Sequence, residues 1–178
     1  MSRHIAFLRG INLGKRQIKM AELKTCLEAI GLSALKTIVA SGNVRFETAG
    51  QSDLKRRIEA AIDKQFGFAV GVVLRSEAEI DAMLAAAPFG QLDPAADVAR
   101  HVMLYDTPLP GDLQLDDRPG HTEVLRIDAR EIYLAGYRQP NGRYTEGVDD
   151  LVKQLDRQLG KDRLVTTRNW NTIEKALA

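Results

Sequence analysis

The sequence predicts an α+β chain in which one order of elements, β-α-β-β-α-β, occurs twice in tandem, the second time with its first helix degraded into a loop. Three observations predict it. Over residues 2–74 the apolar residues change from strand-like to helix-like spacing in that order. The order recurs in the second half, with a proline-rich stretch where the first helix would stand. Arg3-His4-Ile5-Ala6-Phe7-Leu8 is echoed by Arg100-His101-Val102-Met103-Leu104-Tyr105, each opening on Arg-His and turning apolar.

Ser2 to Arg9 reads as a buried strand, because Ile5, Ala6, Phe7 and Leu8 follow one another. Gly10 to Ile18 is a loop. Lys19 to Ile30 is a helix with Met20, Leu23, Leu27 and Ile30 on one stripe and Gly31 as its stop. Leu35 to Ala40 and Val44 to Thr48 form a hairpin turned at Ser41-Gly42-Asn43. Ser52 caps a helix carrying Leu54, Ile58, Ile62 and Phe66, which Gly67 ends. Phe68 to Leu74 is apolar throughout, as an inner strand is. This order is that of a ferredoxin-like unit, the split βαβ arrangement.

Ser76 and Glu79 make a capping box for a helix that Pro88 stops. Arg100 to Tyr105 is the next strand, Asp106 to Gly120 a loop with three prolines, and Thr122 to Ile127 with Glu131 to Ala135 a second hairpin. Arg138 to Gly147 is a polar loop. Val148, Leu151, Val152, Leu155 and Leu159 mark an amphipathic helix. A short strand at Leu164 to Thr166 precedes a last helix with Trp170, Ile173 and Leu177. The expected organisation is a first ferredoxin-like unit at 1–75, a connecting helix and linker at 76–98, and a second unit with a C-terminal helix at 99–178.

Bulk composition narrows function. The chain has 178 residues, is 44% hydrophobic and 28% charged, and balances 25 Lys and Arg against 24 Asp and Glu, so its net charge is +1. Whole-chain attraction to nucleic acid or to a membrane surface is not expected. The distribution is uneven: residues 1–24 hold six cations and one acid, whereas residues 93–131 hold nine acids and four cations. One cysteine, Cys26, excludes an internal disulfide and a thiolate-rich zinc site. No apolar run reaches the roughly 18 residues of a membrane span, the N-terminus lacks a signal-peptide pattern, and a cytoplasmic protein is expected.

Several mechanisms drop out. Gly10 to Lys15 is not a P-loop, since three residues rather than four separate its glycines and Arg16 stands where Ser or Thr would hold magnesium. His4, His101 and His121 are strand-edge histidines, and a metal triad of them is disfavoured. Ser41 has no evident base partner. No metal or other cofactor is expected, and whether the chain is an enzyme is left open.

What remains is three polar segments among apolar elements: Arg9-Gly10-Ile11-Asn12 running to Lys15, Arg16 and Lys19; Ser41-Gly42-Asn43; and Thr166-Thr167-Arg168-Asn169-Trp170-Asn171-Thr172 at the start of the last helix. Arginine offers a planar fork to carboxylate or phosphate, and glycines let backbone N–H groups approach an anion. Each segment alone is also ordinary turn or cap chemistry.

FLRGINLGKRQIKMAEL, VASGNVRF and TTRNWNT, in that order, resemble the signature stretches of the bacterial domain of unknown function 1697 family, over nearly the whole chain. The match departs at Lys15-Arg16, where a second glycine is common, and at Arg45, where an apolar residue is usual. The resemblance implies tandem ferredoxin-like units and no activity. It marks Arg9, Gly10, Asn12, Lys19, Ser41, Gly42, Asn43, Thr167, Arg168, Asn169 and Trp170 as signature positions.

Three functions follow, in order of preference. The first is a pocket for a phosphate-bearing or other anionic small molecule, in which Arg9, Lys19 and Arg168 supply charge, Gly10 and Gly42 backbone donors, and Asn12, Ser41 and Asn43 orientation. This reading expects Arg9 and Arg168 close together around a concave site. The second is an interaction protein, monomer or homodimer, that pairs through a sheet face or edge. The third is RNA binding, which the βαββαβ order with Phe7 and Phe46 suggests and the sparse aromatics and near-zero net charge disfavour.

Overall fold

The computed structural model of the chain describes residues 1–39, 42–50 and 52–178. The fold is α+β, with two four-stranded antiparallel sheets. Among the described residues the elements follow in the order β1 (Ser2–Arg9), α1 (Met20–Glu28), β2 (Ser33–Thr37), β3 (Asn43–Thr48), α2 (Leu54–Phe66), β4 (Gly71–Ser76), α3 (Glu77–Ala85), β5 (Val98–Tyr105), β6 (Thr122–Ile127), β7 (Glu131–Tyr137), α4 (Val148–Leu159), β8 (Val165–Asn169) and α5 (Trp170–Lys175). The chain forms two compact units, Met1–Ala82 with Thr172–Ala178, and Met83–Asn171.

In the first unit the sheet order is β2-β3-β1-β4. β1 lies between β3 and β4 because its run of apolar residues is buried on both faces. Ala6 and Leu8 turn one way and join Val44, Phe46 and Val72 under α1 and α2. Leu23 and Leu27 of α1 and Ile58 and Ile62 of α2 are fully buried there, each worth about 1.5–3 kcal/mol of transfer free energy. Residues 172–178 close this unit. Arg45 Nη1 donates to the Ala178 carbonyl at 2.6 Å and Lys36 Nζ to the same oxygen at 3.0 Å. That gives the charged residue at position 45 a partner within its own unit.

In the second unit the order is β6-β7-β5-β8. Met103, Tyr105, Ile132 and Leu134 face Leu151 and Leu155 of α4. No helix lies between β5 and β6; Leu109, Leu113 and Leu115 of that connection pack on the same core. On the opposite face Phe89, Tyr133 and Trp170 form a ring cluster with centroids 5.3–6.0 Å apart.

Local sequence accounts for most element ends. Ser76 and Glu79 close the capping box reciprocally: the Ser76 N–H donates to Glu79 Oε2 at 2.8 Å and the Glu79 N–H to Ser76 Oγ at 3.2 Å. Four expectations shift. Asp53, at φ 53 and without a side-chain cap bond, takes the N-cap of α2 in place of Ser52. β4 runs Gly71–Ser76, so Phe68 precedes it. β2 runs Ser33–Thr37 with a bulge in its pairing to β3, rather than reaching residue 40. β8 extends to Asn169, because Thr167, Arg168 and Asn169 pair with Met103, Val102 and His101 of β5. The third polar segment is therefore strand through Asn169, and α5 begins within it at Trp170.

Candidate functional site

The β1–α1 loop is anchored at both ends by apolar residues. Ile11 and Ile18 are buried, and Asn12 Oδ1 accepts the Ile18 N–H at 3.3 Å, which draws the two ends together. Gly10 makes the turn out of β1 at φ 73, a conformation that side-chain-bearing residues adopt only with strain. In and beside this loop Arg9, Asn12, Lys15, Arg16 and Lys19 are exposed. The Arg16 guanidinium lies 5.2 Å from the centroid of the Phe68 ring, so this cation has an aromatic partner as well as solvent.

The hairpin turn meets this loop at one end of the first sheet. Phe7 pairs with Asn43, and the Leu8 N–H donates to the Gly42 carbonyl at 2.7 Å. Asn43 is 2% exposed and spends its side-chain amide on the turn, Nδ2 donating to the Ile38 carbonyl at 3.1 Å. Ser41 lies outside the described residues. Val39 is exposed at φ 57, a region that a β-branched residue enters only at a cost. Two of the three polar segments thus come together, with cations projecting from the loop and the hairpin turn beside the end of β1.

The strand part of the third segment lies on β8 of the second unit. Strand alternation divides it: Thr167 and Asn169 turn one way and Arg168 the other. Arg168 is half-buried. Its Nη1 donates to Thr166 Oγ1 at 2.5 Å and to the Thr167 carbonyl at 3.1 Å, and desolvation pulls the guanidinium below its ordinary value. Asn169 Oδ1 accepts the Asn171 N–H at 3.1 Å, so Asn169 caps α5. Trp170 is buried in the ring cluster.

Other chemistry-bearing residues are placed as follows. Phe7 and Phe46 are fully buried, so neither ring is available to stack on a base. Cys26 is buried on α1, its thiol donating to the Ala61 carbonyl at 3.4 Å, and burial pushes that thiol up. His4 stacks on Phe46 at 5.9 Å. Burial lowers His101 below the usual histidine value. Among the described residues no group of three or more His, Cys, Asp or Glu side chains is placed to hold a metal ion, and no helix is long and apolar enough to cross a membrane.

Two features lay beyond sequence reasoning. Arg75, on β4, is 1% exposed and donates to the Leu74 carbonyl at 2.8 Å. Its one signal is a charge directly after a seven-residue apolar run, which reads from sequence as the end of the strand. The other is a cavity in the second unit with His101 in its wall, for which the echoed Arg-His pair was the only pointer.

Among known proteins, the model of the family described as protein of unknown function (DUF1697) matches residues 1–133. No curated protein matches. The solved structure of conserved bacterial protein SP0830 from Streptococcus pneumoniae is similar, with a TM-score of 0.73 and 22% identity over 99% of this chain and 96% of that one. At that identity the likeness is one of fold.

Proposed function

The chain belongs to the DUF1697 family, and from that premise we propose that it is a cytoplasmic protein that binds a phosphate-bearing small molecule at the end of its first sheet. The ligand's charge is met by Arg9 and Lys19, and Gly10, Asn12, Ser41, Gly42 and Asn43 shape the seat. One observation carries the reading. The exposed cationic loop and the hairpin turn are drawn to the same sheet end by the Phe7–Asn43 pairing and the Leu8–Gly42 bond. The buried, unpaired thiol of Cys26 supports the cytoplasmic setting. No reaction is assigned.

We read both units as ferredoxin-like and as products of duplication. The support is that both sheets have one strand order with strand numbers offset by four, together with the Arg3-His4 and Arg100-His101 echo at matching places on the central strands.

A thermal-shift screen of inorganic phosphate, sulfate, nucleotides and sugar phosphates tests the anion site. A ligand in hundredfold excess over its Kd raises Tm by about 5–10 °C, and Arg9→Ala removes the rise. Stabilisation that Arg9→Ala leaves intact, or none from any anion, overturns the reading.

A further inference from the structure

We infer that the second unit holds a separate site for a small neutral molecule, with a flat apolar body and one hydroxyl or N–H group, in a cavity on the α4 face of its sheet. The cavity measures about 120 Å3. His101 and Met103 of β5 and Leu134 of β7 line its sheet side, and Val148 and Val152 of α4 its helix side. An engineered apolar cavity of about 150 Å3 accepts benzene, so this one suits a body of about six to eight non-hydrogen atoms.

The hydrogen-bonding end follows from the imidazole. The His101 side chain makes no hydrogen bond among the described residues. Its nitrogens are not among the sealed polar atoms that lack a partner, so they keep contact with solvent and can bond to a ligand group that takes the solvent's place. Thr145 and Thr167, at the exposed rim, likewise keep unused hydroxyls. Neutrality follows from the rest of the lining, which among the described residues includes no Lys, Arg, Asp or Glu. A carboxylate or phosphate there would have no countercharge.

The cavity is built rather than left over. Gly136 of β7 has no side chain, and a Cβ there would run into the carbonyl of Tyr144. The 138–147 segment therefore lies directly on bare sheet. Its position is pinned by Tyr144 Oη donating to Asp97 Oδ1 at 2.6 Å and by Thr122 Oγ1 donating to the Glu146 carbonyl at 2.5 Å. A pre-formed roof means little ordering on binding.

The test is a titration of the full-length, 15N-labelled chain with phenol, and with toluene as the isostere that lacks the hydroxyl, followed by amide shifts. Phenol gives saturable shifts confined to the neighbourhood of His101, Leu134 and Val152, and binds about three- to tenfold more tightly than toluene. His101→Leu removes that preference. Val152→Trp, at a position 40% exposed, fills the space and abolishes both responses; if it loses the native spectrum, Val148→Phe takes its place. Absence of saturable shifts in the cavity, or a phenol preference that survives His101→Leu, overturns the inference. Inorganic phosphate, titrated in parallel, reports on residues 9–19, so failure of the anion reading is seen separately.

Discussion

The two units share one strand order and differ in what covers the sheet. In the first, α1 and α2 bring Leu23, Leu27, Ile58 and Ile62 down onto β1, β3 and β4. In the second, α4 covers the matching face without a helix between β5 and β6. The central histidines record the consequence. His4 pairs in register with Phe46 and stacks on its ring, whereas His101 pairs with Leu134 and looks into a cavity. With the smaller Leu134 as its neighbour, the second imidazole lies in a cavity wall rather than against a ring. The first unit presents an exposed cationic loop at its sheet end, and the second a cavity between its sheet and α4.

This contrast can be broken by mutation. Phe46→Ala removes a fully buried ring from the first core, and its cost is the largest expected, about 3–5 kcal/mol by urea denaturation. Gly136→Ala comes next. Its Cβ meets the Tyr144 backbone rather than a flexible side chain, so the 138–147 segment must shift, at about 1–3 kcal/mol. Equal, small losses at the two positions would remove the distinction between the two units.

The smallest effect concerns the pin on that roof. The hydrogen bond from Tyr144 holds the Asp97 carboxyl below its ordinary value, with Arg138 adding to the effect. Because the folded value is depressed, the stability it confers is present above the ordinary carboxylate value and is lost as pH falls through the lower, folded one. Tyr144→Phe moves the Asp97 titration back up, read by carboxyl carbon NMR. An unchanged midpoint would mean that the tyrosine does not hold the segment.

Much of this architecture was legible in the sequence because it is locally encoded. The four-residue spacing of Leu54, Ile58 and Ile62 and the stripe of α4 set those helices, and Ser76 with Glu79 fixed the start of α3 to the residue. What escaped depends on distant partners. Thr167, Arg168 and Asn169 look like a polar cap, and only pairing with β5 makes them strand. Phe68 begins an apolar run with no periodicity to say where pairing starts; its ring goes instead to Arg16. At the candidate site, the convergence of the Arg9–Lys19 loop with Gly42 and Asn43 follows from the expected hairpin. The structural employment of Asn12 and Asn43 does not, because it depends on which backbone groups the turn leaves to be satisfied. The cavity was invisible, since its roof rests on the approach of Gly136 to a backbone eight residues on, which no local pattern announces.

The central claim is that the first sheet's end is an anion seat, and its most direct measurement is an amide-shift titration of the labelled chain with inorganic phosphate. The account predicts saturable shifts at Arg9, Gly10, Asn12, Lys19, Gly42 and Asn43 that vanish in Arg9→Ala. Shifts that never saturate, or that spread over unrelated cations on both units, would contradict it.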